Sequence, residues 1–199
     1  MGKFFKIVGM GCGGCLVIIL AVGAFGYSQL DDNIHVERSR VIDAPIEVLF
    51  PLVDSLQSWS DWDPWSQLDS GITITHEGPP AGTGAIRRWS SNDRSVGTGS
   101  IEIVDSLVGE RIDLDIDMGE GMAVIHAIFE FEETPNGIRV TWTDTAQLEG
   151  FVQRLFGLVA NDYYLGPMLD EGLKSLDEVA MKKAATILSE ELGTESLND

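Results

Sequence analysis

From Ile7 to Leu30 the chain has no charged side chain, while Lys3 and Lys6 precede the stretch and Asp31 and Asp32 come directly after it. At ~1.5 Å rise per residue, about 20 helical residues cross a hydrocarbon core of ~30 Å. The stretch predicts a transmembrane helix over 7–30, behind a short N-terminus, 1–6. Basic residues mark the cytoplasmic side, so the N-terminus is expected inside and the rest of the chain extracytoplasmic. The alternative is a cleaved secretory signal ending near Ala24-Phe25-Gly26, which would leave a secreted domain. The apolar region of such a signal is typically ~7–15 residues, shorter than this one. Both cysteines fall in this segment, as Cys12-Gly13-Gly14-Cys15. With no second pair and an apolar setting, they read as packing residues rather than as a redox or zinc site. The chain beyond Leu30 has no cysteine, so its fold depends on a core and not on disulfides.

The net charge is −19, from 32 acidic and 13 basic residues. Such a surface repels phosphate backbones, which excludes nucleic acid as a partner. Residues 189–199 are acidic with no basic residue and read as a tail, the frayed end of a helix.

The remainder, 31–188, reads as one domain. Asn33 to Ile42 is β-rich, and Asp43-Ala44-Pro45 opens a short helix with Val48, Leu49, Leu52 and Val53 on its apolar face. Trp59, Trp62 and Trp65 come next at three-residue spacing, in a helical turn ended by Pro64. They read as core anchors of that turn, with a cap on a cavity mouth or rings dipping into the head-group region as the alternatives. Strands are predicted over 71–76, 82–89, 99–105, 111–118, 122–131 and 138–144. The clearest is 111–118, where Ile112, Leu114, Ile116 and Met118 alternate with Arg111, Asp113, Asp115 and Asp117, the pattern of a strand with one wet face. Asn136-Gly137 is a hairpin signal. The period then changes to helical. Residues 151–164 form one segment, and Gly166-Pro167 predicts a break or kink. Leu169, Leu173, Leu176 and Ala180 make a stripe on a long helix that needs an apolar partner. The inner face of a sheet is the only large one available. The order predicts an α+β fold in which a seven-stranded antiparallel sheet curls around a long C-terminal helix.

That order resembles a known family. The stretches Val41-Ile42-Asp43-Ala44-Pro45, Trp62-Asp-Pro-Trp65, Gly78-Pro79-Pro80-Ala81-Gly82-Thr83-Gly84-Ala85, Gly97-Thr98-Gly99-Ser100 and Val140-Thr141-Trp142-Thr143 are similar to the START-like (SRPBCC) superfamily. More narrowly, they resemble its bacterial polyketide cyclase/dehydrase branch. The resemblance runs from about Ile34 to Ala184. It implies a helix-grip fold with an elongated cavity between sheet and helix, and an apolar or amphipathic guest such as a lipid or polyketide. A minority of members are enzymes, and fold alone does not give function.

No catalytic constellation is present in the sequence. His35, His76 and His126 lack a second ligand at metal spacing. There is no Gly-x-Ser-x-Gly elbow, and Gly82-Thr83-Gly84 leads into a strand rather than a phosphate-binding helix. No metal or cofactor is expected. Alternation puts Arg87 and Trp89 on one strand face. If that face is inward, Arg87 either meets the acidic head of a guest or pairs with Asp144 or another carboxylate. Trp89, Phe129, Phe131 and Trp142 are expected inside the sheet, with Tyr163 and Tyr164 near the helix entrance, as pocket lining or as core. The leading expectation is therefore membrane-tethered binding of an apolar or amphipathic small molecule. The alternatives are a cyclase or dehydratase in which a carboxylate or Tyr164 moves a proton, and a cell-envelope interaction module whose cavity is filled by its own side chains. Cavity volume and a perturbed interior carboxylate separate the three.

Overall fold

A computed structural model describes residues 30–93, 96–119 and 124–195. Residues 1–6 and all of the expected membrane span except Leu30 lie outside the described residues. Among the described residues no helix is long and apolar enough to cross a membrane.

Strand β1 (Asn33–Ile42) is followed by helix α1 (Ile46–Asp54) and two 3-10 turns, Ser58–Asp61 and Trp65–Gln67. Six strands then run in succession: β2 (Thr73–Glu77), β3 (Ile86–Ser90), β4 (Thr98–Leu107), β5 (Arg111–Asp117), β6 (Val124–Thr134) and β7 (Gly137–Gln147). Helix α2 (Gly150–Val159), a π-helical turn (Ala160–Leu165) and helix α3 (Gly166–Glu195) complete the chain. All seven strands form one antiparallel sheet in the order β1-β7-β6-β5-β4-β3-β2. This is the predicted helix-grip arrangement.

Pro45 takes the position before the first turn of α1, with φ −59° and ψ 145°, and its carbonyl accepts the amides of Val48 and Leu49. The sheet's two faces follow the alternation. On β5, Ile112 and Leu114 are buried, while Asp113, Asp115 and Asp117 point the other way. Strands β3, β4 and β7 differ most from expectation in length, β4 outrunning the expected 99–105 at both ends. β3 is shorter, because Gly82 and Gly84 adopt φ of 77° and 86°, a left-handed backbone that makes the lead-in a loop. β7 is longer and runs on to Gln147. That extension adds Ala146 to the inner face, one step beyond Asp144.

Helix α3 buries Leu169, Leu173, Leu176 and Ala180, the predicted stripe. Each fully buried leucine contributes about 1.5–3 kcal/mol. The helix lies close on the sheet at Gly172, where an added Cβ would stand 2.8 Å from Trp142 Cζ3 and 3.4 Å from Pro64 Cδ. Arg38 and Arg40 on β1 reach across to Asp170 (3.1 Å) and Asp177 (2.7 Å) on α3. Pro167 falls in the first turn of α3, directly after the π turn, so the expected break takes the form of a change of helix type. α3 continues to Glu195, so most of the expected acidic tail is helical.

Candidate functional site

The inner face of the sheet is built in rungs that cross the strands. One rung runs Trp142, Phe129, Ile112. The next, toward α2, runs Val36, Asp144, Ala127, Leu114, Ile103. Beyond it, Ile34 lies against Ala146, and Ile116 lies between Ile125 and Ile101. These three rungs meet the underside of the helical layer.

The first rung is closed. Trp59 and Trp62, from the turns after α1, pack on Phe129 and Trp142, with ring centroids between 4.5 and 6.3 Å apart. All four rings are fully buried, with exposures of 0–1%. Trp59 and Trp62 donate their indole N–H groups to the carbonyls of Val53 and Leu52. Phe129 and Trp142 do point inward as alternation requires, but Trp59 and Trp62 fill the space over them. At this level the interior is core.

The rungs toward α2 differ in character. Asp144 is 2% exposed and turned into this apolar interior. Trp142 Nε1–H donates to its Oδ1 at 2.8 Å, and no cation pairs with it among the described residues. Burial pushes its carboxyl up to about 7, against the opposing pull of the Trp142 hydrogen bond. Its neighbour Ala127 is small, and Ile116 and Ile125 on the next rung are only partly buried although they face inward. This end of the inner face therefore combines a carboxyl that is neutral below about pH 7 with apolar surface that the core leaves partly uncovered. Such a carboxyl can donate a hydrogen bond to a carbonyl or hydroxyl oxygen, or exchange a proton with it.

Arg87 faces inward, as alternation predicts, and is 2% exposed. Its partner is Asp63 of the Trp62-Asp-Pro-Trp65 turn, not Asp144: Nη1 donates to Asp63 Oδ2 at 2.8 Å. The Ser66 hydroxyl joins Arg87 Nη2 to Asp63. Asp63 Oδ1 also accepts the amides of Trp65 (2.9 Å) and Ser66 (3.1 Å). The guanidinium is thus engaged in fastening the tryptophan turn to the sheet, with only Nε left without a partner.

The other expected pocket residues are dispersed. Phe131 packs on Phe50 at 5.3 Å, near α1. Trp89 is partly buried at the far side of the sheet, its N–H on the Val96 carbonyl. Tyr163 and Tyr164 are 86% and 43% exposed and stand outside the aromatic cluster. Asp63 and Asp144 are the residues that sequence reasoning underused. Asp-Pro opening a turn is a capping signal for the first. For the second, the parity of Ile138, Val140 and Trp142 extended by one step gives its direction.

Two open grooves, of about 530 and 560 Å³, lie on the opposite face, lined chiefly by polar residues such as Thr73, Arg88 and Thr98, or His35, His126 and Thr145. On that face His126 Nδ1 meets Asp115 at 2.6 Å. Neither groove lies between sheet and α3.

Solved structures share this architecture at low identity. A protein from Rhizobium leguminosarum aligns with TM-score 0.57 and 17% identity, over 75% of this chain and 95% of its own. The di-domain ARO/CYC StfQ from the steffimycin biosynthetic pathway aligns with TM-score 0.59 and 13% identity, over 77% of this chain. The chain spans about half of StfQ, 52% of its length. The di-domain ARO/CYC BexL from the BE-7585A biosynthetic pathway gives TM-score 0.55 and 16% identity, over 86% of this chain and 61% of its own. At these identities the likeness is one of fold. No curated protein matches the chain. The model of the family described as polyketide cyclase/dehydrase and lipid transport matches residues 33–180, nearly the whole sheet and most of α3. With that span matched and the helix-grip sheet in place around it, the chain belongs to the polyketide cyclase/dehydrase and lipid transport family.

Proposed function

We propose that this protein binds an apolar or amphipathic small molecule, lipid- or polyketide-like, against the inner face of the sheet at its α2 end. In this reading Ile7–Leu30 tethers it to a membrane, with the N-terminus cytoplasmic and the domain extracytoplasmic. The observation that carries the proposal is Asp144. A buried carboxyl without a cation costs stability, and keeping it neutral only limits the cost. A guest oxygen that accepts its proton would add a second hydrogen bond to the one from Trp142. The partly uncovered Ile116 and Ile125 beside it offer apolar surface, worth ~25 cal/mol per Å² removed from water. The aromatic cluster sets the depth of such a site, which ends at Trp142. Arg87, held by Asp63, plays no part in recognising the guest.

A second reading draws on the same carboxyl. With its proton leaving near neutral pH, Asp144 suits proton transfer in a cyclase- or dehydratase-type reaction on a bound chain. Asp144→Asn separates the two: binding survives in both, and turnover is lost only if the proton matters.

Native mass spectrometry of the detergent-extracted full chain, followed by solvent extraction, tests the binding itself. The expected result is a co-purifying apolar molecule, lost in Ile125→Trp while circular dichroism stays native. If neither protein carries a guest, and titration with monoolein leaves tryptophan emission unchanged, the filled-interior module replaces the carrier.

A further inference from the structure

Helix α2 leaves large apolar side chains exposed on one side. Its side toward the domain carries Gly157, which is buried so closely that an added Cβ would stand 2.4 Å from Leu148 Cδ1. Val152 and Leu155, on another side of the same helix, are 78% and 49% exposed. Tyr163, in the π turn after it, is 86% exposed. An ordinary surface helix puts its larger apolar residues inward and its polar ones outward. In addition, no acidic residue occurs between Glu149 and Asp162, in a chain with 32 of them.

The position of this helix says what meets it. The chain enters the sheet at Asp32, whose carbonyl accepts the Leu148 amide at 2.7 Å and whose carboxylate lies 3.6 Å from Arg154 of α2. The uncharged stretch Ile7–Leu30 therefore joins the domain at the corner where α2 sits. With that stretch in a bilayer, only Asp31 separates the lipid from Asp32, and the corner cannot leave the membrane surface.

We infer that the Val152–Leu155 face of α2, with Tyr163, lies in the head-group layer of the bilayer that holds the N-terminal stretch. Apolar side chains enter the boundary between head groups and acyl chains, and the tyrosine occupies the interfacial zone where such rings collect. Asp31, Asp32 and Glu149 rim the contact, so a zwitterionic surface suits it better than an anionic one. The inference rests on the proposed tether and adds a fixed orientation to it. The α2 end of the sheet, with Asp144, faces the lipid. The β4–β5 turn at the other end of the strands, with Val108 86% exposed, faces water.

Spin labelling of the full chain in phosphatidylcholine vesicles tests this. Cys12→Ser and Cys15→Ser give a cysteine-free background, into which Val152→Cys, Leu155→Cys or Val108→Cys is placed singly. Accessibility of each label to oxygen and to an aqueous nickel chelate is measured by electron paramagnetic resonance. The expected result is an oxygen-to-nickel ratio several-fold higher at 152 and 155 than at 108. Water-like ratios at all three sites, in protein that still floats with the vesicles, would overturn the docking and leave the tether intact. Failure to float would overturn both. Spin–spin broadening at 152 or 155 would assign the face to a second copy and reject the lipid.

Discussion

Trp142 donates its indole N–H to Asp144, two residues further along β7 on the same face of the sheet, at 2.8 Å. The bond joins the floor of the aromatic cluster to the one carboxyl that the interior leaves without a cation among the described residues. It gives Asp144 one satisfied oxygen whichever its protonation state, and it gives the fully buried Trp142 indole an acceptor.

Because the folded-state pKa of Asp144 is raised to about 7, the native state binds its proton more tightly than the unfolded chain, where the value is ~3.9. Its contribution is fully present below the unfolded value and is lost as pH rises through the folded one. Stability should therefore fall between about pH 4 and pH 7 by up to about 4 kcal/mol from this group. Asp144→Asn keeps the acceptor and removes the titration. Urea melts of both proteins across this range should show wild type losing stability relative to the variant as pH rises. Parallel curves would mean that Asp144 does not titrate there.

The Asp63–Arg87 pair is asymmetric. Asp63 keeps two amide donors and the Ser66 hydroxyl if Arg87 is removed, whereas Arg87 without Asp63 is a buried cation held by one hydroxyl. Asp63→Ala should cost about 3–5 kcal/mol. Arg87→Met should cost less, and the double variant should recover part of the Asp63→Ala loss. A double-mutant cycle by chemical denaturation reads this directly, and strictly additive losses would contradict it.

At Gly172, alanine improves helix propensity by about 1 kcal/mol but places a methyl 2.8 Å from the Trp142 ring. Overpacking of this kind typically costs about 1–3 kcal/mol. Gly172→Ala should therefore be destabilised overall, with a changed near-ultraviolet signal from Trp142. A more stable variant would mean that α3 sits further from the sheet.

The exposed bridges from Arg38 and Arg40 to α3 should matter little. Each partner is at least one-fifth exposed, so Arg38→Ala and Arg40→Ala should each cost less than about 1 kcal/mol in thermal melts. A larger loss would make them the main fastening of the helix.

The frame of this fold is readable in the sequence where one period dominates. β1 matches its predicted limits, β5 shows its wet and dry faces, and the leucine stripe of α3 is buried as its spacing requires. The site is less readable because it depends on pairings across the fold. Alternation sends Arg87 inward but does not select a carboxylate 24 positions away. The spacing of Trp59 and Trp62 suggests a helical turn and says nothing of the concave surface they fill. Asp144 is obscured for a different reason: a charged residue reads as a strand's end, although the strand continues beyond it.

β1 is an edge strand paired with β7 along its whole length, from Asn33–Gln147 to Ile42–Ile138. A pull on the N-terminus along the strand axis acts in shear. The ladder shares the load across all its rungs at once, where a peeling force would open them singly. Drag applied at Asn33 along this axis would therefore have to break the β1–β7 ladder as a unit.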